Sequence, residues 1–156
     1  MESFGQFRFA VLGNARAWRD GVELDLGPAR QRCVFAVLLL GGGRAVTRTQ
    51  LIDAVWGDAA PRTAPAAVHV YISRLRRVLT QDPAVARRAL VHSRAGYLLG
   101  VDGVSDAGAF GALVATARQA RSRGDLSGAV ATFADALQLW GGPPLSGLSG
   151  PFVEVE

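Results

Sequence analysis

Residues 64–80 read Ala64-Pro65-Ala66-Ala67-Val68-His69-Val70-Tyr71-Ile72-Ser73-Arg74-Leu75-Arg76-Arg77-Val78-Leu79-Thr80. Val68, Ile72, Leu75 and Leu79 fall at i, i+4, i+7 and i+11, the spacing of one buried stripe on a helix. Roughly opposite lie Ala66, Val70, Ser73, Arg74 and Arg77, with His69 and Arg76 at the flanks. The stretch contains no acid, whereas a solvated surface helix ordinarily mixes Glu with Arg so that residues one turn apart can pair. The pattern predicts a helix whose outer face suits a DNA groove. Small residues near its N-terminus allow close approach, Val70 can touch a thymine methyl, and Arg74 can pair bidentately with a guanine edge. Arg76 and His69 are better placed for phosphates. The plain alternative is an amphipathic surface helix with a solvated basic face.

Working outward, Asp82-Pro83 breaks the chain after this helix, and residues 89–93 and 97–101 form a hairpin around Arg94-Ala95-Gly96. Arg94 at its tip can reach a narrow minor groove, while Arg87 and Arg88, just before it, are phosphate contacts or simply solvated. On the upstream side, Thr47-Arg48-Thr49-Gln50 has the form of a capping box and opens a helix running to about Trp56. A further helix spans about 28–41, from Pro28 to the stop Gly41-Gly42-Gly43. Before it, residues 6–26 alternate as short half-buried strands do, with turns at Gly13-Asn14 and Asp20-Gly21. The order is an antiparallel meander, three helices and a hairpin: an α+β winged-helix layout in which the last helix enters a major groove.

From Asp106 the pattern is helical only. Asp106 and Asp125 are expected N-caps, and Gly124 a C-terminal stop, for two antiparallel helices over about 106–123 and 125–140. Ala129, Phe133, Ala136 and Leu137 have the spacing of closely packed helical pairs. One such pair cannot bury its apolar face alone. Either it docks on the first part or the natural protein continues beyond residue 156, and the second reading is adopted. The expected division is 1–102 for the winged helix and 103–156 for the helical part.

Charge and composition narrow the function. The chain has 156 residues and a formal net charge of +4, and all 17 of its basic residues are Arg. Residues 62–94 hold seven Arg and one acid, Asp82, a local excess that attracts a polyanion. The longest uncharged apolar stretch, Cys33 to Gly43, is too short for a membrane span, for which about 18 residues are needed, and Met1-Glu2-Ser3-Phe4 does not read as a secretory leader. Both point to the cytoplasm. Cys33 is the only cysteine, which excludes an internal disulfide and a multi-thiolate metal site. His69 and His92 are the only histidines, and neither paired carboxylates on one helix face nor a phosphate-cradling glycine loop is present, so the expectation is no enzyme, no metal and no cofactor.

Four segments together carry a resemblance: Gly27-Pro28-Ala29-Arg30-Gln31-Arg32 leading into Leu38-Leu39-Leu40; Leu51-Ile52-Asp53-Ala54-Val55-Trp56-Gly57; Val70-Tyr71-Ile72-Ser73-Arg74-Leu75-Arg76-Arg77-Val78-Leu79; and Gly96-Tyr97. The chain resembles the Streptomyces antibiotic regulatory protein family over nearly its whole length. In that family an OmpR/PhoB-type winged helix precedes a helical, tetratricopeptide-like bacterial transcriptional activation domain, usually far longer than residues 103–156. The resemblance implies an activator of a secondary-metabolite (antibiotic) gene cluster that binds promoter direct repeats in double-stranded DNA, as a homodimer or in tandem, and recruits RNA polymerase holoenzyme. By position it implies base contacts at Val70 and Arg74, backbone contacts at Ser73, Arg76 and Arg77, and a wing contact at Arg94. It also implies a polymerase-contact loop at Gly57-Asp58-Ala59-Ala60-Pro61-Arg62, which otherwise reads as a connector, with Trp56 in the core. The alternatives are a helical protein-interaction module whose basic face binds no DNA, and a response regulator, for which no phosphoacceptor domain fits before the first strand.

Overall fold

The computed structural model describes residues 5–155. Met1–Phe4, read above as no secretory leader, lie outside the described residues. Strands β1 (Phe7–Ala10), β2 (Arg16–Arg19) and β3 (Val22–Leu24) form the expected antiparallel meander. Asp20 (φ +50°) and Gly21 (φ +82°) both take positive φ at the β2–β3 turn, the conformation that a two-residue hairpin demands. The β1–β2 connection is longer than a Gly-Asn turn and spans residues 11–15.

Helix α1 (Ala29–Leu40) comes next, with Pro28 as its N-cap residue. Helix α2 (Arg48–Trp56) begins with the capping box read from sequence: the Thr47 hydroxyl accepts from the Gln50 amide at 3.1 Å and Gln50 Oε1 accepts from the Thr47 amide at 2.8 Å. A short 3-10 turn, Gly57–Ala59, leads to α3 (Ala64–Leu79). The hairpin is β4 (Leu90–Ser93) with β5 (Gly96–Leu99), closed by a turn at Arg94-Ala95.

Two expectations are corrected here. Asp82-Pro83 does not only break the chain; it starts another helix, α4 (Pro83–Ala89), so four helices rather than three precede the hairpin. Asp82 Oδ1 accepts from the Ala84 amide at 2.9 Å, and Pro83 occupies the first helical position, where its missing N–H costs nothing. The N-terminal sheet is also not purely antiparallel. Strand β6 (Gly103–Ser105), assigned from sequence to the start of the second part, pairs in parallel with β1 and gives a four-stranded order β3-β2-β1-β6.

The second part is α5 (Asp106–Ser122) and α6 (Leu126–Gln138). The two helices pack against each other, and each buries alanines, Ala117 and Ala120 on α5 and Ala129 and Ala136 on α6, small side chains that let two helix axes approach. Asp125 caps α6 as expected, but the cap of α5 is Ser105, whose hydroxyl accepts from the Gly108 amide at 2.9 Å. Asp106 instead accepts from the backbone amides of Val11 at 2.9 Å and Leu12 at 3.0 Å, riveting α5 to the end of β1. The chain then returns to the winged half. Leu145 is buried with Val11 and Ala36, Leu148 and Phe152 pack on the main core, and α7 (Pro151–Val155) lies against α2. The helical pair therefore docks on the first part, an outcome that does not bear on whether the natural protein continues beyond residue 156. Docking leaves a stripe of α6 in water: Leu126, Val130 and Leu137 are 65–69% exposed.

The main core lies between the meander and the helices. Phe35, Leu38, Leu51, Ile72, Leu75, Leu79 and Leu90 are fully buried there, with Phe9 against Phe35 at 5.6 Å between ring centroids. Cys33 is buried among them, and burial pushes its thiol pKa up to about 11.

Candidate nucleic-acid interface

Helix α3 points as its periodicity requires. Ala64, Val68, Ile72, Leu75 and Leu79 are buried. Ala66, His69, Val70, Arg74 and Arg77 are exposed, Val70 at 41% for an apolar side chain, and Ser73 is half-buried at the edge of the same stripe. No acid lies on the helix. Among the described residues, neither Arg74 nor Arg77 has a carboxylate partner; the ion pairs there are Arg16–Glu23 at 2.7 Å and Arg19–Asp20 at 3.8 Å. The stripe is thus an uncompensated cationic surface with a small-residue entrance at Ala66.

Three interactions hold that surface at a fixed angle. Arg76 Nε donates to the Leu90 carbonyl at 2.9 Å, tying α3 to the first strand of the hairpin. Arg19 Nη1 donates to the Leu79 carbonyl at 3.1 Å and supplies a cation where the last helical carbonyls need a donor. Tyr71 stacks on Trp56, ring centroids 6.4 Å apart, fixing the α2–α3 corner. Arg76, read from sequence as a phosphate contact, therefore already has a partner within the fold and is half-buried.

The hairpin is anchored from behind. The amides and carbonyls of Val46 and Tyr97 exchange hydrogen bonds at 2.7 and 2.8 Å, and His92 stacks on Tyr97 at 4.3 Å. Gly96, at φ +126°, is the residue this arrangement requires, because a Cβ there would run into the Val46 carbonyl. Arg94 is exposed in the turn at the tip. A cleft of about 320 Å³ separates the hairpin from the start of α2, lined by Thr47, Arg48, His92, Ser93 and Arg94. Arg48, not singled out from the sequence, thus shares a cleft with Arg94. Its place in the first turn of a recognisable capping box was the signal that could have found it. Arg87 and Arg88 are exposed in the last turn of α4.

In the loop between α2 and α3, Asp58, Ala59, Ala60, Pro61 and Arg62 are exposed and Gly57 is half-buried. Trp56 is partly buried against the main core. Among the described residues, no group of three or more His, Cys, Asp or Glu side chains could hold a metal ion, and no helix is long and apolar enough to cross a membrane.

Comparison with known proteins agrees with this geometry. Residues 21–99 match the family described as transcriptional regulatory protein, C terminal, and residues 105–156 match the bacterial transcriptional activator domain. The chain is similar to the regulatory protein AfsR of Streptomyces coelicolor, 44% identical over 157 residues, covering 99% of this chain and 15% of AfsR. It is 36% identical to the transcriptional regulatory protein MoaR1 of Mycobacterium tuberculosis, over 97% of this chain and 50% of MoaR1. The solved structure of Mycobacterium tuberculosis EmbR in complex with a low affinity phosphopeptide superposes with a TM-score of 0.84 at 31% identity, covering 96% of this chain and 40% of EmbR. The chain thus spans half or less of the length of these relatives.

Proposed function

The chain belongs to the Streptomyces antibiotic regulatory protein family of transcriptional activators, and from that premise we propose that it activates a secondary-metabolite gene cluster by reading promoter DNA through α3. The exposed, acid-free stripe Ala66-His69-Val70-Ser73-Arg74-Arg77 is the observation that carries the reading. In this assignment Val70 and Arg74 read bases. Ser73, Arg76, Arg77 and His69 face phosphates, Arg76 through the guanidinium nitrogens that its bond to Leu90 leaves over. Arg94 enters the minor groove, and Arg87 and Arg88 add backbone contacts. Residues 1–102 act as the DNA-binding part and 103–156 as the start of the activation part. Binding is to direct repeats, as a homodimer or in tandem, in the cytoplasm and on the nucleoid.

Loop 57–62 is assigned to the RNA polymerase holoenzyme. In a winged helix the recognition helix and hairpin are occupied by the grooves, so an activator needs another exposed element for its second partner.

A genomic footprint tests the reading, with a direct repeat just upstream of a promoter as the expected outcome. Affinity for that site should fall steeply with salt, by roughly 10³ between 50 and 200 mM if about six phosphates are contacted. No duplex binding even at low salt would favour the protein-interaction module instead.

A further inference from the structure

The segment after α6 ends against the loop assigned to polymerase. Leu148 and Phe152 pack on the main core and fix the backbone between them. Gly150, at φ +123°, runs so close to the last turn of α2 that a Cβ there would lie 2.8 Å from the Val55 carbonyl oxygen. Pro151 then fills the space beside Gly57: a Cβ on Gly57 would lie 2.8 Å from Pro151 Cγ, and Gly57 is held at φ +57°. Any other residue at 57 would both strain the backbone and push Pro151 away.

Pro151 is exposed, as are Asp58, Ala59, Ala60, Pro61 and Arg62 on the far side of Gly57. Pro151 thus adjoins the loop at Gly57, and the exposed residues on this surface are mostly small and apolar, Ala59, Ala60, Pro61 and Pro151, with Asp58 and Arg62 as the charged ones. Such a mix of apolar and charged groups suits contact with a protein rather than with a phosphate backbone. The patch is also stiff, since two prolines and a packed glycine joint leave it little freedom to lose on docking.

We propose that the surface through which this protein touches polymerase is composite, formed by loop 57–62 of the winged half together with Pro151 of the returning segment, with Gly57 as the joint that lets them meet. The proposal rests on the assignment of loop 57–62 to polymerase and adds a second element from the other end of the chain. Its consequence is that the activation half contributes to the contact at a point seated directly on the DNA-binding half.

The test uses Pro151→Ala, Asp58→Ala, Arg62→Ala, Gly57→Ala and the pair Pro151→Ala with Asp58→Ala, all in the full chain. Binding to purified polymerase holoenzyme is measured by surface plasmon resonance, duplex affinity by gel shift, and folding by thermal melting. Pro151→Ala and Asp58→Ala should each weaken polymerase binding by about threefold to tenfold. The pair should weaken it by less than the product of the two, because neighbouring residues on one surface couple. Duplex affinity and melting should not move. If Pro151→Ala leaves polymerase binding unchanged while Asp58→Ala and Arg62→Ala reduce it, the composite surface is overturned and the loop acts alone. If neither loop variant affects polymerase binding, the loop assignment fails and this proposal with it. If Pro151→Ala lowers polymerase binding, duplex affinity and melting together, the segment is a structural prop and the proposal is overturned. Should Gly57→Ala fail to fold, Pro151→Ala, at an exposed residue in the first position of a short helix, still decides.

Discussion

Arg74 and Arg76 stand two positions apart on α3, yet only Arg76 is also bound into the fold. Arg74 is exposed and without an ion-pair partner among the described residues, while Arg76 is half-buried with its Nε on the Leu90 carbonyl. Arg74→Ala should therefore cost about 1–3 kcal/mol of DNA affinity and relax sequence preference, with stability unchanged. Arg76→Ala should lower the urea midpoint of the free protein by the equivalent of about 1–2 kcal/mol, since a charge-assisted hydrogen bond and a packed stem are lost. Gel shifts on matched and mismatched sites, beside urea unfolding, separate the two. The spacing of apolar residues told which face of α3 each arginine occupies. It could not show that Arg76 reaches a strand 14 residues away, because that contact depends on the hairpin folding back. Cys33 gives a second prediction at this scale. Its thiol pKa rises from 9.0 to about 11 through burial, so the folded state holds the proton more tightly than the unfolded chain. Its contribution to stability is complete below pH 9 and is lost as pH climbs toward 11. At about pH 8, below both values, the native protein should resist iodoacetamide and react once unfolded. Alkylation at equal rates in both states would mean that Cys33 is open to solvent.

Among elements, those with local chemistry were legible and those made by distant pairing were not. Thr47 and Gln50 announce α2 with a reciprocal cap, and Asp20-Gly21 announces its hairpin, because each motif is satisfied by residues close in the chain. Strand β6 carries no comparable signal, since its three residues are ordered by a parallel ladder to β1, at the other end of the winged half. Helix α4 is the instructive miss. Asp-Pro disfavours helix before the proline and favours it after, and Asp82 does both, ending the extended link from α3 and capping α4. The same ambiguity hid which residue caps α5, because Ser105 and Asp106 are adjacent and either could have served. Asp82→Ala should cost about 0.5–2 kcal/mol, the usual value of an N-cap. It should also loosen α4, which sets Arg87 and Arg88, so that backbone affinity falls slightly and alike for all duplexes. Amide exchange across 83–89 is the direct check, and unchanged protection there would show that α4 is held by Val85 and Ala86 packing alone.

At the scale of the whole molecule, the two parts share structure that a cut at residue 102 would divide. The winged half alone would lose strand β6 from its sheet and the Asp106 carboxylate from the amides of Val11 and Leu12. It would also lose the returning segment, in which Leu145 is buried, Leu148 and Phe152 cover the core, and the Leu145 amide donates to the Val11 carbonyl at 2.9 Å. The charge division explains why the cut looks natural: residues 1–100 carry 14 Arg and 7 acids, residues 101–156 carry 3 Arg and 6 acids. Charge marks the part to which DNA binding is assigned, whereas packing reports what folds together, and the two need not share a boundary. Fully burying a Leu or Phe side chain contributes about 1.5–3 kcal/mol. Leu145 is buried outright and Leu148 and Phe152 in part, so removing residues 142–156 should cost roughly 3–6 kcal/mol, a large share of the roughly 5–15 kcal/mol typical of a domain. A chain ending at residue 141 should thus unfold at markedly lower urea than the full chain, and one ending at residue 102 lower still. Both should keep the α3 stripe intact and recover some duplex affinity when cooled or crowded with site DNA, because binding to the folded form pulls the equilibrium back. If the 1–141 chain instead melts at the same urea concentration as the full chain, the returning segment is a passenger on the winged half, and the contact of Pro151 with Gly57 does not hold it in place.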